Sequence, residues 1–376
     1  MSNRSALTRA ALLLSLATLP LAAQTTTHAA KAAATSPFPR TADGHPDLQG
    51  IYDLATMTPF ERLPGDPPVL TKEQADKLQK AEIARRSVDA THLDPNRPEL
   101  PVGGDTSRGK TFFEILEKAG GGAVGGYDRL WLNQGNAFMV IDGQIRTSIV
   151  IDPPDGHVPP YNAAAKARMG RAGARVLPTS DAGENQDIRA ASRRGEYDNP
   201  EQRPLSERCI LGFGNTAGPP ALPDYFYNDL HQIVQTKDTI MILSEMIHDA
   251  RIIRMNAQHL PPTMRLWMGD SVGHWDGDTL VVDTANFTDK TRFRGSTENL
   301  HVVERFTRLD AKTLLYHFTI EDPQTWDRPW SGEETWPLTS KPIYEYACQE
   351  GNYALGDVLR GARHQEAEEA AGKPKQ

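Results

Sequence analysis

The chain of 376 residues contains little cysteine, no excess of basic residues and no sequence repeat. Its 41 Lys and Arg face 49 Asp and Glu, a formal net charge of −8, so it lacks the basic composition typical of nucleic-acid-binding proteins. The absence of repeats excludes collagen and coiled coils, and 38% hydrophobic residues suffice to build a core. The 30 Gly and 28 Pro indicate many loops. We therefore expect a loop-rich globular protein with no nucleic-acid partner.

Long apolar runs are equally scarce, and the clearest one lies near the start of the sequence. Arg4 and Arg9 precede an apolar run at 10–21, which two alanines follow. A charged region, a short apolar run and a small-residue exit are typical of a secretory signal peptide. The run is too short to span a bilayer, which takes about 20 residues. We predict a signal peptide at 1–23, a disordered spacer at 24–36, no transmembrane segment, and a soluble protein in the bacterial periplasm or outside the cell.

The two cysteines, Cys209 and Cys348, are too few for a disulfide-rich scaffold. In an oxidising compartment we expect them to form one disulfide. Closing a loop of 139 residues contributes about 4–5 kcal/mol by loss of chain entropy in the unfolded state. The alternative is a pair of buried free thiols. Neither cysteine lies beside a second soft ligand, so we expect no zinc site and no cofactor.

Short apolar stretches separated by turn residues dominate the sequence from residue 145 onward. Such a series without intervening helices predicts an antiparallel β-meander. We expect a mainly β fold closed as a lipocalin-like barrel, with a sandwich as the alternative and a few peripheral helices and long loops. The predicted strands are 50–56, 145–152, 231–236, 239–246, 250–255, 278–287, 300–308, 314–321, 330–336 and 342–348.

Helical segments fall outside this series of strands. Thr71 and Gln74 form the capping box of the clearest helix. The predicted helices are 71–86, 110–119 and 162–175. The predicted organisation is a single β-rich domain at 37–360, helical and loop insertions at 71–135 and 160–205, and a flexible tail at 361–376.

One cluster of titratable residues lies between two predicted strands. Glu245 and His248 have the E-x-x-H spacing of carboxylate-bridged metal proteins, in which both ligands share one helix face. Strand-like flanks place them on opposite faces, so no metal is expected here. His248 and Asp249 are better suited to proton transfer, because a neighbouring carboxylate orients an imidazole and raises its pKa. The alternative is a turn that faces water.

Acidic and imidazole groups also interrupt the later strands. If several of them share the barrel interior, repulsion and desolvation separate their pKa values and provide an acid and a base. The alternative places them on the outer wall. Strand 314–321 alternates apolar residues with polar ones, and the pattern does not decide which set faces inward. The residues concerned are Asp283, Glu304, His317, Glu321 and Glu345.

Aromatic and basic side chains supply candidate contacts to a ligand. Trp326 and Trp330 lie in a proline-containing segment, and with Tyr316 they offer flat surfaces on which a sugar or aromatic ligand stacks. Core packing is the alternative explanation for these rings. Arg146 and Arg251 are candidates for holding an anionic group.

Three segments resemble a family of exported soil-bacterial proteins. They are Arg40–Tyr52 (RTADGHPDLQGIY), Gly277–Phe287 (GDTLVVDTANF) and Tyr344–Tyr353 (YEYACQEGNY), and the resemblance covers most of the chain. It implies export and carries over no activity and no site residue. More weakly, Gly50-x-Tyr52 at the start of a β-meander is similar to the Gly-x-Trp opening of lipocalin-like barrels, with Tyr in place of Trp. That likeness implies a barrel and no particular ligand.

Two functions follow from these observations. The first is an exported hydrolase, lyase or isomerase that uses carboxylate and histidine acid–base chemistry on a small molecule or glycoside in a barrel pocket. The second is a non-catalytic periplasmic protein that binds a hydrophobic or aromatic ligand. An enzyme requires inward-facing acids close to one another, whereas a carrier requires an apolar interior with the charges outside. The catalytic candidates are His248, Asp249, Glu304, His317 and Glu321.

Overall fold

The architecture comes from a computed structural model, which describes seven stretches of the chain. They are 38–89, 135–171, 197–203, 208–210, 218–223, 228–289 and 293–372. The predicted signal peptide, the spacer and the predicted helix at 110–119 lie outside the described residues.

The described residues contain thirteen strands and three α-helices. The strands are β1 (Gly50–Asp53), β2 (Val69–Leu70), β3 (Val140–Ile141), β4 (Gln144–Arg146), β5 (Val150–Asp152), β6 (Leu230–Gln235), β7 (Thr239–Ser244), β8 (Ala250–Met255), β9 (Asp270–Asp276), β10 (Thr279–Ala285), β11 (His301–Arg308), β12 (Thr313–Glu321) and β13 (Trp330–Thr339). The helices are α1 (Lys72–Asp89), α2 (Ala163–Arg171) and α3 (Tyr353–Ala370).

Nine strands close into a barrel in the order β1, then β6 through β13, with β13 returning to β1. The closing contact pairs Ile51 with Thr339 and Tyr52 with Leu338 in antiparallel register. Because the sheet closes on itself, the predicted barrel is confirmed and the sandwich is not formed. Strand β5 pairs with the start of β13 at Ser331 and Gly332, outside the closed set. Strands β2, β4 and β3 form a second, small sheet.

One pair of barrel strands departs from the predicted antiparallel meander. Strands β8 and β9 run parallel, with Ile253 opposite Ser271 and Met255 opposite Gly273. A parallel pair needs a connection that returns to the starting end of the first strand. Residues 256–269 make that connection, and we call this segment the crossover loop.

Two predicted strands were wrong in detail, and one strand was missed. Segment 145–152 divides between β4 and β5, which belong to different sheets. Strand β9 was not predicted. Segment 342–348 is irregular, because closure by β1 already occupies the free edge of β13. Instead of pairing in the sheet, this segment is held where the Tyr344 backbone N–H donates to Glu245 Oε1 at 2.9 Å.

The barrel interior is lined by inward-facing side chains that alternate with partly exposed outer ones. Along β12, Leu314, Tyr316, Phe318 and Ile320 are fully buried. Aromatic rings predominate near β13, where the Trp336 ring lies 4.9 Å from that of Tyr316, centroid to centroid. Burying each large apolar side chain contributes about 1.5–3 kcal/mol, so this aromatic core is a main source of stability.

The helices lie outside the barrel. The capping box of α1 is confirmed, since Thr71 N–H donates to Gln74 Oε1 at 2.9 Å and Gln74 N–H donates to Thr71 Oγ1 at 3.2 Å. The predicted third helix is confirmed over the length of α2, and α3 remains helical to Ala370, within the segment predicted as a tail. Among the helices of the described residues, none combines the length and apolar character needed to cross a membrane.

The predicted disulfide is confirmed. Cys209 and Cys348 are bonded, with their Cα atoms 5.7 Å apart. The Asn352 side-chain amide donates to Cys209 Sγ at 3.4 Å, and its Oδ1 caps the first turn of α3 by accepting from Leu355 N–H. The disulfide therefore fixes the position at which α3 begins.

Candidate functional site

A network of three polar side chains occupies the barrel interior. Arg251 on β8 and Glu304 on β11 form a bidentate ion pair in which Arg251 Nη2 lies 2.9 Å from Glu304 Oε1, and Nη1 contacts Oε2. Their side chains are 3% and 0% exposed. The Tyr316 hydroxyl on β12 donates to Glu304 Oε1 at 2.8 Å and accepts from the Ala221 backbone N–H at 2.9 Å. Three strands therefore contribute to one dry, hydrogen-bonded group.

Burial and mutual charge set the protonation of this network. Although burial opposes the charge on Arg251, the Glu304 carboxylate raises the pKa of Arg251 above its ordinary value. Burial, reinforced by the charge on Glu304, raises the pKa of Tyr316 well above its ordinary value, against the opposing effect of Arg251. Tyr316 consequently remains a neutral hydrogen-bond donor, and the charge on Arg251 is neutralised locally.

Glu334 is a second buried acid, next to the network. It lies on β13 directly opposite Tyr316, and the side chain is 0% exposed. Among the described residues, neither of its carboxylate oxygens has a hydrogen bond of normal geometry, and the same holds for the Trp336 Nε1–H. Burial raises the pKa of Glu334 well above its ordinary value; the neighbouring Trp336 indole opposes this and the charge of Asp229 adds to it. Burial without a charged partner therefore favours the un-ionised form of the Glu334 carboxyl.

A buried histidine faces the same part of the interior. His231 on β6 is 5% exposed, and its ring centroid lies 5.4 Å from that of Trp336. Burial lowers the pKa of His231 to about 4; the Asp229 carbonyl, 3.4 Å from Nδ1, opposes the shift and the charge on Arg251 adds to it. His231 is therefore a neutral imidazole at pH 7.

These groups give the interior an acid and a base in different environments. The surroundings of Glu334 favour its protonated form, those of His231 favour the neutral imidazole, and Glu304 is paired with Arg251. Titratable groups with strongly displaced pKa values are typical of catalytic sites. Within the described stretches, no group of three or more His, Cys, Asp or Glu is arranged to hold a metal ion.

The structure brings together three of the predicted site residues. Arg251, Glu304 and Tyr316, proposed above for different roles, form the interior network. His317 and Glu321 belong to the opposite face of β12, on the outer wall of the barrel. Burial, with the nearby charge of Arg305, lowers the pKa of His317 below its ordinary value.

The other predicted residues lie away from this network. His248 is exposed and Asp249 half-buried in the turn between β7 and β8. Burial raises the pKa of Asp249, and the charge of His248 opposes this. Arg146 ends β4 in the small sheet. Trp326 and Trp330 are buried against each other with ring centroids 5.6 Å apart, and they pack in the core.

Two members of the site were missed in the sequence. His231 is the second residue of β6 and shares its inward face with Ile233 and Gln235, and Glu334 shares the inward face of β13 with Trp330 and Trp336. A carboxylate at even spacing from two tryptophans, four residues after Trp330 and two before Trp336, is the signal that marks Glu334. His231 carries no comparable signal, because its partners are on distant strands.

Fold and site together define a closed, nine-stranded β-barrel with a polar acid–base group in an aromatic interior. Comparison of the chain with protein-family models, with curated proteins and with solved structures finds no match.

Proposed function

We propose that the protein is an exported enzyme, a hydrolase, lyase or isomerase, that performs acid–base chemistry on an uncharged small molecule or glycoside inside the barrel. The observation that carries the proposal is the buried Glu334 carboxyl without a normal hydrogen bond, on the same face of β13 as Trp336, whose ring lies 5.4 Å from that of neutral His231. A general acid must hold its proton at the working pH, and burial supplies this property. The disulfide and the predicted signal peptide support export into an oxidising compartment.

Each interior residue receives a role that its surroundings support. Glu334 is the general acid, and His231 accepts a proton as its neutral imidazole. Tyr316, whose hydroxyl donates to Glu304, offers the substrate the face of its aromatic ring. Arg251 is already neutralised by Glu304, so it is not available to an anionic group. The proposed substrate is therefore uncharged.

The aromatic interior favours a second candidate function, a carrier of a hydrophobic or aromatic ligand. On β12 the apolar set faces inward, as a carrier requires. Phe306 and Tyr316 lie 5.3 and 4.9 Å from Trp336, measured between ring centroids, and such rings hold a flat ligand. Catalysis and carriage differ in whether Glu334 gives up its proton.

The proposed acid is tested with Glu334→Gln and a matched control, Glu333→Gln, which changes the neighbouring outward-facing residue of β13. We expect the infrared carbonyl band of a protonated carboxylic acid at pH 7 in the wild type and in Glu333→Gln, and its loss in Glu334→Gln. An unchanged spectrum in Glu334→Gln contradicts the proposed general acid.

Activity is tested with p-nitrophenyl glycosides and esters as probes. We expect Glu334→Gln to lower kcat by about 100-fold or more and Glu333→Gln to leave it unchanged, because general acids contribute roughly 10²–10⁴-fold. Equal turnover in both variants contradicts the enzyme. Quenching of tryptophan fluorescence by a neutral aromatic probe without turnover supports the carrier instead.

A further inference from the structure

A chain of alternating carboxylates and imidazoles runs along the outer wall of the barrel, separate from the interior site. His259 lies in the crossover loop, with Nδ1 3.1 Å from Asp270 Oδ2 and Nε2 2.9 Å from Asp283 Oδ1. His301 continues the chain, with Nε2 3.1 Å from both Asp283 oxygens and Nδ1 3.5 Å from Glu321 Oε2. We call these five residues the histidine–carboxylate chain.

The contacts of the two imidazoles define their protonation. A neutral imidazole has one N–H donor and one lone pair, whereas an imidazolium has two donors. An ionised carboxylate only accepts hydrogen bonds, so a lone pair that faces it is repelled. Both ring nitrogens of His259 and both of His301 face carboxylates. Each ring therefore makes favourable contacts with both of its carboxylates only when both of its nitrogens are hydrogen-bond donors.

Electrostatics within the chain agree with this assignment. The hydrogen bond to Asp283 raises the pKa of His301 above its ordinary value; burial opposes the shift, and Glu321 adds to it. Burial opposes ionisation of Asp283, but hydrogen bonds from His301 and His259 outweigh burial and lower the pKa of Asp283. In the pair formed by His301 and Asp283, the proton therefore resides on the His301 imidazole.

The charged groups around the two imidazoles come from every strand beneath the chain. Arg254 on β8 donates to Asp270 Oδ1 at 2.8 Å. Asp270 begins β9, Asp283 lies on β10 and Glu321 ends β12. With both imidazoles protonated, three cations balance three carboxylates. Loss of the His301 proton removes the cation that lies between Asp283 and Glu321.

The chain also holds the crossover loop on the barrel. His259 and Leu260 are consecutive loop residues, and the Leu260 N–H donates to Asp270 Oδ2 at 2.7 Å. The Asn286 side-chain amide, just beyond β10, donates to the Leu260 carbonyl at 2.9 Å. The crossover loop contains no helix, so these polar contacts supply part of its attachment.

We propose that the histidine–carboxylate chain is a pH-sensitive attachment that holds the crossover loop against the barrel wall while the His301 imidazole is protonated. The direction of the pH dependence follows from the linkage between proton binding and attachment of the loop. The pKa of His301 is raised above the ordinary value of about 6.5, so its contribution is complete below that pH and is lost as pH rises through the raised value. The loop opens more often in alkaline solution.

The test is amide hydrogen exchange of the full-length protein at about pH 6 and pH 9, corrected for intrinsic exchange. We expect protection of 257–268 to fall by up to about tenfold per pH unit for each proton released. His259→Gln and His301→Gln should show low protection at both pH values. His274→Gln, an exposed residue on β9, is the matched control and should behave as the wild type.

An NMR titration of the imidazoles keeps the proposal testable if a variant unfolds. We expect the wild-type His301 resonance to titrate with a midpoint above about 6.5. A midpoint at or below that value overturns the proposal, as does loop protection that is independent of pH. Zn²⁺ that shifts both imidazole resonances and increases protection, reversibly on chelation, also overturns it by assigning the cluster to a metal.

Discussion

At the scale of single residues, the Arg251–Glu304 pair shows how burial changes the worth of an ion pair. Two charges inside the barrel have lost their water, so removing one partner leaves the other uncompensated. Arg305, the next residue after Glu304, makes a similar contact with Asp276 at 2.7 Å on the outer wall. The side chains of that outer pair are 41% and 63% exposed, and water screens them.

The buried pair and the exposed pair are expected to differ in how much the loss of their arginine destabilises the protein. We expect Arg251→Met to lower the free energy of unfolding by about 3–5 kcal/mol. Arg305→Met should cost less than about 1 kcal/mol, because the partner it leaves is solvated. Urea denaturation of both variants at neutral pH measures the difference. Equal losses contradict the placement of Arg251 and Glu304 in a dry interior.

The buried Glu334 carboxyl predicts how the stability of the protein changes with pH. Because its folded-state pKa lies well above the unfolded value of about 4.5, its contribution to stability is complete below that pH and is lost as pH rises through the folded value. Gln stays neutral in both states, so Glu334→Gln removes this loss.

We therefore expect Glu334→Gln to have a Tm above that of the wild type at about pH 8, and a difference that shrinks toward about pH 4. Calorimetry over this range measures it. Glu333→Gln serves again as the control and should not alter the pH dependence. A Glu334→Gln variant whose Tm falls with rising pH in parallel with the wild type contradicts a buried un-ionised acid.

At the scale of secondary-structure elements, the residues of β9 explain why this strand could not be predicted from the sequence. Its residues Ser271 and Gly273 face inward, where a strand pattern calls for apolar side chains. A Cβ added at Gly273 would lie 2.8 Å from Ile253 Cγ2 and 2.9 Å from Met255 Sδ on the parallel neighbour, so a larger residue would displace these side chains. Close approach of β8 thus removes the alternation by which strands are recognised.

This close approach predicts that Gly273→Ala destabilises the protein by about 1–3 kcal/mol through overpacking. Gly361→Ala on α3 is the control, since nothing lies within 4 Å of its added Cβ. Alanine favours a helix over glycine by roughly 0.5–1 kcal/mol, so that variant should be neutral or stabilised. The midpoint of urea unfolding distinguishes the two. A harmless Gly273→Ala contradicts the parallel packing of β8 on β9.

The orientation of each strand was harder to predict than its existence. Alternation along β12 separates Tyr316 and Phe318 from His317 and Glu321, but both faces of a barrel strand can be polar. Which set faces inward depends on the direction in which the sheet closes. Closure pairs β1 with β13, two strands at opposite ends of the sequence, and no local pattern specifies it.

At the scale of the whole molecule, the same closure explains why three of the five residues of the interior site could be predicted and two could not. Charged and aromatic residues within predicted strands are site candidates by their residue type alone. This criterion identifies Arg251, Glu304 and Tyr316. His231 and Glu334 were missed, because their significance arises from neighbours on β6 and β13 that meet only in the closed barrel. The barrel class follows from short-range periodicity, whereas the site depends on long-range pairing.

The disulfide links this long-range order to the unfolded chain. Cys209 and Cys348 bracket β6 through β13, so the 139-residue loop that they close contains eight of the nine barrel strands. A cross-link of this span restricts the unfolded ensemble and leaves the folded barrel almost untouched. We expect the double variant Cys209→Ser/Cys348→Ser to lose about 4–5 kcal/mol of unfolding free energy while it retains the far-ultraviolet spectrum of the wild type.

Reduction of the wild type with dithiothreitol is the matched control, because it breaks the same bond without changing the sequence. The reduced wild type and the double variant should unfold at the same urea concentration, below that of the oxidised protein. If the oxidised and reduced forms unfold together, the bond does not stabilise the barrel by restricting its unfolded chain. If the double variant loses its β-sheet spectrum under native conditions, the barrel depends on the bond for its formation and not only for its stability.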